Sequence, residues 1–203
     1  MDILEIAEII GIISFSLSGF FVASSAKLDI LGIFIASFLT ALGGGVIRDI
    51  IAHKPLYAFS NNLASVLVIC VVIVAIFFKI HRFNTIEKNG IFILFDTFGL
   101  VSFAISGALV GVDVGFNFFG VVLLSLITAV GGGVLRDMLI NKVPLILTSE
   151  FYGSVALVVG MLIYLLEKTD LMHFMTIVMV FIIGLLLRFI ALWRDWHLPK
   201  VIS

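Results

Sequence analysis

Gly43-Gly44-Gly45-Val46-Ile47-Arg48-Asp49 returns almost letter for letter as Gly131-Gly132-Gly133-Val134-Leu135-Arg136-Asp137, an offset of about 88 residues. The chain is a duplication. Each copy sets three helix-weakening glycines, an arginine and an aspartate inside a stretch that otherwise reads as lipid-embedded, where such residues cost free energy. Outward from the string the match continues. Ser14, Phe15, Ser18 and Gly19 face Ser102, Phe103, Ser106 and Gly107; Gly32, Ser37, Thr40 and Ala41 face Gly120, Ser125, Thr128 and Ala129. Glu8 faces Asp96, and Lys54 faces Lys142, followed by Pro55 and Pro144 with Val143 gained in the second copy.

The chain of 203 residues is 62% hydrophobic and 12% charged, with a mean hydropathy of +1.31. A monomer of that composition cannot cover its apolar surface in water and belongs in a bilayer. Seven apolar runs long enough to cross about 30 Å of hydrocarbon can be marked off: 4–24, 30–48, 61–79, 91–112, 117–139, 151–167 and 172–193. They leave no room for a soluble domain, so 1–203 reads as one all-α transmembrane domain. Repeat 1 covers about 4–79, repeat 2 about 91–167, and helix 7 lies outside the repeat. Three helices per copy is an odd number, so the second copy enters the bilayer from the opposite side. The expected fold is an inverted 3+3 repeat plus a seventh helix, with the matched motifs facing each other near mid-depth, where transport proteins keep their sites.

The first helix lacks the basic leader of a signal peptide, since Asp2, Glu5 and Glu8 stand there instead. Lys27, Lys79, Arg82, Lys88, Arg136, Lys142, Arg194 and Lys200 fall on one side of the membrane, against Arg48, Lys54 and Lys168. That bias puts the N-terminus outside and the C-terminus in the cytoplasm. A net charge of −1 gives no reason to expect nucleic acid. The lone Cys70, mid-helix, allows no internal disulfide.

Three consecutive glycines cost roughly 1 kcal/mol each in a helix interior. Gly43–Gly45 and Gly131–Gly133 are therefore expected to kink or unwind their helices, freeing carbonyl oxygens for a desolvated monovalent cation. The alternative is that they let neighbouring helices approach closely. Adjacent residues on a helix point about 100° apart, so Arg48 is not expected to pair with Asp49, nor Arg136 with Asp137. Symmetry suggests crossed pairs instead, Arg48 with Asp137 and Arg136 with Asp49. Glu8 and Asp96 are placed to attract cations at two opposite mouths, Asp96 being the better candidate. Ser14, Ser18, Ser102 and Ser106 stand either for close packing or for a hydroxyl-lined path, and Thr40 and Thr128 are similar cases. Gly107, Gly111 and Gly115 read as a packing face. Arg188 in helix 7 fits either an acidic partner or snorkelling. The twenty phenylalanines read as lipid-facing bulk and Trp193 and Trp196 as an interfacial belt. His53, His81, His173 and His197 lack metal-ligand spacing, and no catalytic constellation is present, so an enzyme is not expected.

GGGVIRD and GGGVLRD, preceded in both halves by SFxxSG and followed by one extra helix, resemble the prokaryotic members of the TRIC family, the trimeric intracellular cation channels, also labelled a glycine transporter domain. The resemblance covers essentially the whole chain. It implies a homotrimer in a prokaryotic plasma membrane, with one pore per protomer formed chiefly by helices 1, 2, 4 and 5. It implies passive conduction of potassium and, less selectively, sodium, with no cofactor. Carried onto this sequence, the kink residues are Gly43–Gly45 and Gly131–Gly133, with Arg48 and Arg136 as the basic pore residues and Asp49 and Asp137 beside them. Animal members carry a lysine-containing motif in the first copy and a long basic tail, and this chain has neither. Spacing alone leaves open a secondary transporter that holds the carboxylate of glycine or another small zwitterion on Arg48 or Arg136.

Overall fold

The structure is a computed structural model and describes residues 2–78, 90–148 and 151–196. The charged positions Lys79, Arg82, Lys88 and Lys200 and the histidines His81 and His197 lie outside the described residues. Within them every regular element is a helix. Seven longer helices follow the apolar runs: α1 (Ile3–Ser25), α2 (Ile30–Ile51), α4 (Asn62–Phe77), α5 (Gly90–Asp113), α6 (Phe118–Leu139), α8 (Tyr152–Lys168) and α9 (Phe174–Trp193). Two single-turn helices, α3 (Tyr57–Ser60) and α7 (Leu145–Thr148), follow the two repeated strings. The helices α1, α2, α5, α6 and α9 are long and apolar enough to cross a membrane, and the chain is an all-helical membrane protein.

Matched positions do matched local work. Asp29 caps α2 by accepting from the Gly32 amide at 2.7 Å, and Asn117 caps α6 by accepting from the Gly120 amide at 2.9 Å, each satisfying an amide with no partner in the first turn. The α1–α2 turn needs a left-handed residue, which is Lys27 at φ 57°, and the α5–α6 turn uses Gly115 at φ 74°. After the repeated strings His53 and Asn141 take the same conformation, at φ 51° and 56°.

The core is built from α1, α2, α5 and α6, each packed on two of the others. The helix α4 lies against α1 and α2 as α8 lies against α5 and α6, while α9 packs mainly on α5 and α8. Asp2, Lys54, Asp113 and Glu167 line one surface cavity, so α1 begins at the end of the molecule where α2, α5 and α8 finish. Val22, Phe92 and Lys142 share a cavity at the other end. Helices α1 and α5 therefore run antiparallel.

At the α2–α6 crossing the expectation of unwound glycines is corrected. Both helices stay α-helical through Gly43–Gly45 and Gly131–Gly133. A Cβ on Gly44 would stand 2.1 Å from the Thr128 carbonyl oxygen, and one on Gly132 2.1 Å from that of Thr40. The glycines remove side chains so that two backbones can touch. Gly19 and Gly107 do the same against α2 and α6, a Cβ on either meeting the Thr40 or Thr128 hydroxyl within 2.7 Å. Gly111 packs on Val121, whereas Gly115 has no neighbour within 4 Å and serves the turn, so only part of that glycine series is a packing face.

Phenylalanine is not merely lipid-facing bulk here. Phe15, Phe20 and Phe103 are among the largest fully buried side chains. Phe15 sits in the notch left by Gly99 and Phe103 in that left by Gly11, and the two rings meet at 5.3 Å between centroids. Trp193 is 80% exposed, at the end of α9.

Candidate functional site

Both arginines lie in the last turn of their helices and both are buried, Arg48 at 3% exposure and Arg136 at 0%. A buried guanidinium has five donors to satisfy, and losing hydration without replacing it costs several kcal/mol. The surrounding residues answer that demand with matched residue types twice, but less completely at Arg136, whose Nη2 has no hydrogen-bond partner among the described residues.

Around Arg48, Nε and Nη2 grip one oxygen of Asp49 at 2.8 and 2.7 Å. The other oxygen of Asp49 accepts from the backbone amide of Tyr57, in the first turn of α3, at 2.8 Å. The arginine Nη1 donates to Glu8 of α1 and to the Ser106 hydroxyl of α5, and Ser106 in turn donates to Glu8. Around Arg136, Nε grips Asp137 at 2.8 Å, and the second oxygen of Asp137 accepts from the Leu145 amide of α7 at 3.0 Å. Nη1 donates to the Ser18 hydroxyl of α1 at 2.9 Å, and Ser18 donates to Asp96 of α5 at 2.9 Å. Asp96 stands 3.8 Å from the same Nη1. The buried Tyr152 lies beside Asp96.

The crossed pairing of Arg48 with Asp137 and Arg136 with Asp49 is therefore corrected: each arginine pairs with its own neighbour in sequence. The Cα–Cβ bonds do diverge by about 100°, but an arginine side chain is long enough to turn back along the helix. The short helix after each string then fixes the aspartate from its other side. What crosses between the halves is the serine, Ser106 reaching Arg48 and Ser18 reaching Arg136. Glu8 is buried in the site.

Other expected residues divide. Thr40 and Thr128 donate to the carbonyls of Ala36 and Leu124, both at 2.6 Å, and pack at the helix crossing. Ser14 and Ser102 are buried, away from both arginines' hydrogen bonds, and the Ser102 Oγ has no partner among the described residues. Gly45 and Gly133 stand beside the guanidiniums, a Cβ on either falling 3.8 or 3.7 Å from the arginine Nη2. Arg188 does not snorkel: it is buried, with its guanidinium 5.0 Å from the centre of the Tyr152 ring. Among the described residues no group of three His, Cys, Asp or Glu is gathered to hold a metal ion. Sequence reading missed the backbone amides of Tyr57 and Leu145, the Tyr152 contact and the Gly11 and Gly99 notches. Only the last pair left a signal, since Gly11 and Gly99 match at the repeat offset.

A sequence family described as glycine transporter matches residues 5–80 and again residues 93–168. The crystal structure of a prokaryotic TRIC channel in 0.5 M KCl is 33% identical, with a TM-score of 0.86 over 97% of this chain and 98% of that one. The chain belongs to the TRIC family. The TRIC orthologue from Rhodobacter sphaeroides, described as a trimeric intracellular cation channel, gives a TM-score of 0.88 at 25% identity over 96% of this chain and all of that one. Among curated relatives, the UPF0126 membrane protein YvgT of Bacillus subtilis is 35% identical, with 78% of each chain covered. The inner membrane protein YadS of Escherichia coli is 29% identical over 94% of this chain and 91% of that one.

Proposed function

We propose that the chain is a channel for monovalent cations, potassium and also sodium, with one pore in each protomer of a homotrimer. The observation that carries this reading is the charge at the two arginine sites. Each gathers two carboxylates, Glu8 with Asp49 or Asp96 with Asp137, about one guanidinium. An arginine beside a cation pathway would repel the ion, by roughly 4 kcal/mol at 4 Å in an effective dielectric near 20. Two carboxylates per arginine reverse the sign and leave a cation-attracting site near either end of the α1, α2, α5 and α6 core. The likeness to proteins described as TRIC cation channels supports the same reading.

In this proposal α1, α2, α4, α5, α6, α8 and α9 all cross the bilayer of a prokaryotic plasma membrane, as an inverted 3+3 repeat with α9 added. The N-terminus is outside and the C-terminus cytoplasmic. The pathway runs past Glu8, Arg48, Asp49 and Ser106 at one end and Ser18, Asp96, Arg136 and Asp137 at the other. The paired glycine runs Gly43–Gly45 and Gly131–Gly133, with Thr40 and Thr128, form the contact that must part for an ion to pass. The protein works without cofactor and without catalysis.

Purified protein in a planar bilayer under a KCl gradient tests this. Unitary steps that reverse near the potassium potential are the expected result. The family's other description, glycine transporter, names the rival, in which Arg48 or Arg136 holds a carboxylate. Saturable glycine uptake without unitary current would establish that rival and overturn the channel.

A further inference from the structure

Along the seam between α1, α5 and α9, two cavities run into one another. The outer one, about 610 Å³, lies where α1 begins and α5 and α8 end, and Asp2, Lys54, Asp113 and Glu167 bring charge to it. The inner one, about 250 Å³, is walled by Ile6, Ile10, Ile105 and Phe181. Ile3 and Ile177 line both, so the two are compartments of one groove. Along α5 it runs from Asp113 to Ser102, about 16 Å at 1.5 Å rise per residue. That is half of a hydrocarbon core about 30 Å thick. At its deep end the fully buried Ser102 holds the floor open with a small side chain, and its hydroxyl has no protein partner among the described residues.

We propose that this groove binds a single phospholipid with an amine headgroup, of the phosphatidylethanolamine class. A charged mouth above an apolar slot one leaflet deep has the dimensions and polarity of one such molecule. The acyl chain lies in the inner compartment, between the isoleucines and Phe181, and meets Ser102 at its end. At the mouth Lys54, already paired with Asp113, gives the phosphate one cation. The exposed carboxylates of Asp2 and Glu167 face the ammonium. Three carboxylates against one lysine disfavour a headgroup of net negative charge, which sets an ethanolamine lipid ahead of a glycerol one. The site is separate from the arginine clusters, and its occupation does not depend on whether the protein conducts ions.

The test is native mass spectrometry of the full chain in mild detergent, titrated in parallel with phosphatidylethanolamine and phosphatidylglycerol. Wild type is expected to hold the ethanolamine lipid roughly fivefold more tightly. Val178→Trp, which fills the inner compartment from a half-buried position on α9, is expected to lose that binding. The double variant D2K/E167K, confined to exposed positions, is expected to invert the preference toward phosphatidylglycerol. Equal binding of the two lipids by wild type would overturn the proposal, as would unchanged binding in Val178→Trp. A shift of oligomer mass in Val178→Trp, with no lipid preference in wild type, would assign the groove to a second copy of the chain and also overturn it.

Discussion

Each buried arginine is held by a carboxylate from the next residue, a carboxylate from another helix and a serine from the opposite half. Removing the guanidinium leaves two carboxylates facing each other out of water, and such losses cost about 3–5 kcal/mol. Arg48→Ala and Arg136→Ala are each expected to lower the thermal unfolding midpoint of the detergent-solubilised protein strongly, and to change unitary conductance or open probability in bilayer recordings. Arg48→Lys is expected to restore little, because an ammonium cannot reproduce the planar set of donors that holds one Asp49 oxygen with two N–H groups while a third nitrogen reaches Glu8 and Ser106. Ser18→Ala and Ser106→Ala strip one partner from a buried cluster, for about 1–3 kcal/mol each in the same melting assay. At this scale the sequence was legible in part. The offset found Glu8, Asp96, Ser18, Ser106 and both Arg-Asp pairs. It misassigned who pairs with whom, because a helical wheel treats side chains as directions and ignores how far an arginine can bend back.

For the helices, the seven apolar runs predicted the long elements to within a few residues. The single-turn α3 and α7 escaped, since four residues carry no periodicity. The glycine runs misled for a physical reason: three glycines weaken a lone helix whether they unwind it or admit a neighbour, and only the partner helix decides between the two. The close α2–α6 crossing recovers in packing what the glycines lose in propensity. It also separates the three positions of each run. Gly44→Ala and Gly132→Ala drive a methyl against a backbone carbonyl and are expected to destabilise by about 1–3 kcal/mol or more, whereas Gly45→Ala meets only ordinary contact at 3.8 Å and is expected to be milder in the same measurement. The left-handed Lys27 offers the opposite change. Lys27→Gly gives the first half the residue that Gly115 already supplies in the second, and relief of the side-chain clash is expected to raise stability by about 1 kcal/mol.

Across the whole molecule, the two sites are alike in charge and opposite in position, which predicts opposite asymmetries in current. Glu8→Gln removes a negative charge near one end only, so it is expected to reduce, by roughly twofold, current carried by ions arriving from that end. Asp96→Asn is expected to bend the current-voltage relation the other way. Rectification of the same sign in both variants would show that the sites do not lie at opposite ends of one pathway.

The exchanged serines also bear on how the protein is made. While only the first half has left the ribosome, Arg48 has Glu8 and Asp49 but lacks Ser106, Phe15 has no Gly99 notch to fill, and Gly44 presents a bare groove. None of these gaps closes until α5 and α6 have been inserted. A first half made alone therefore carries unfilled polar and apolar contacts, and the native core forms late, after the two halves have met.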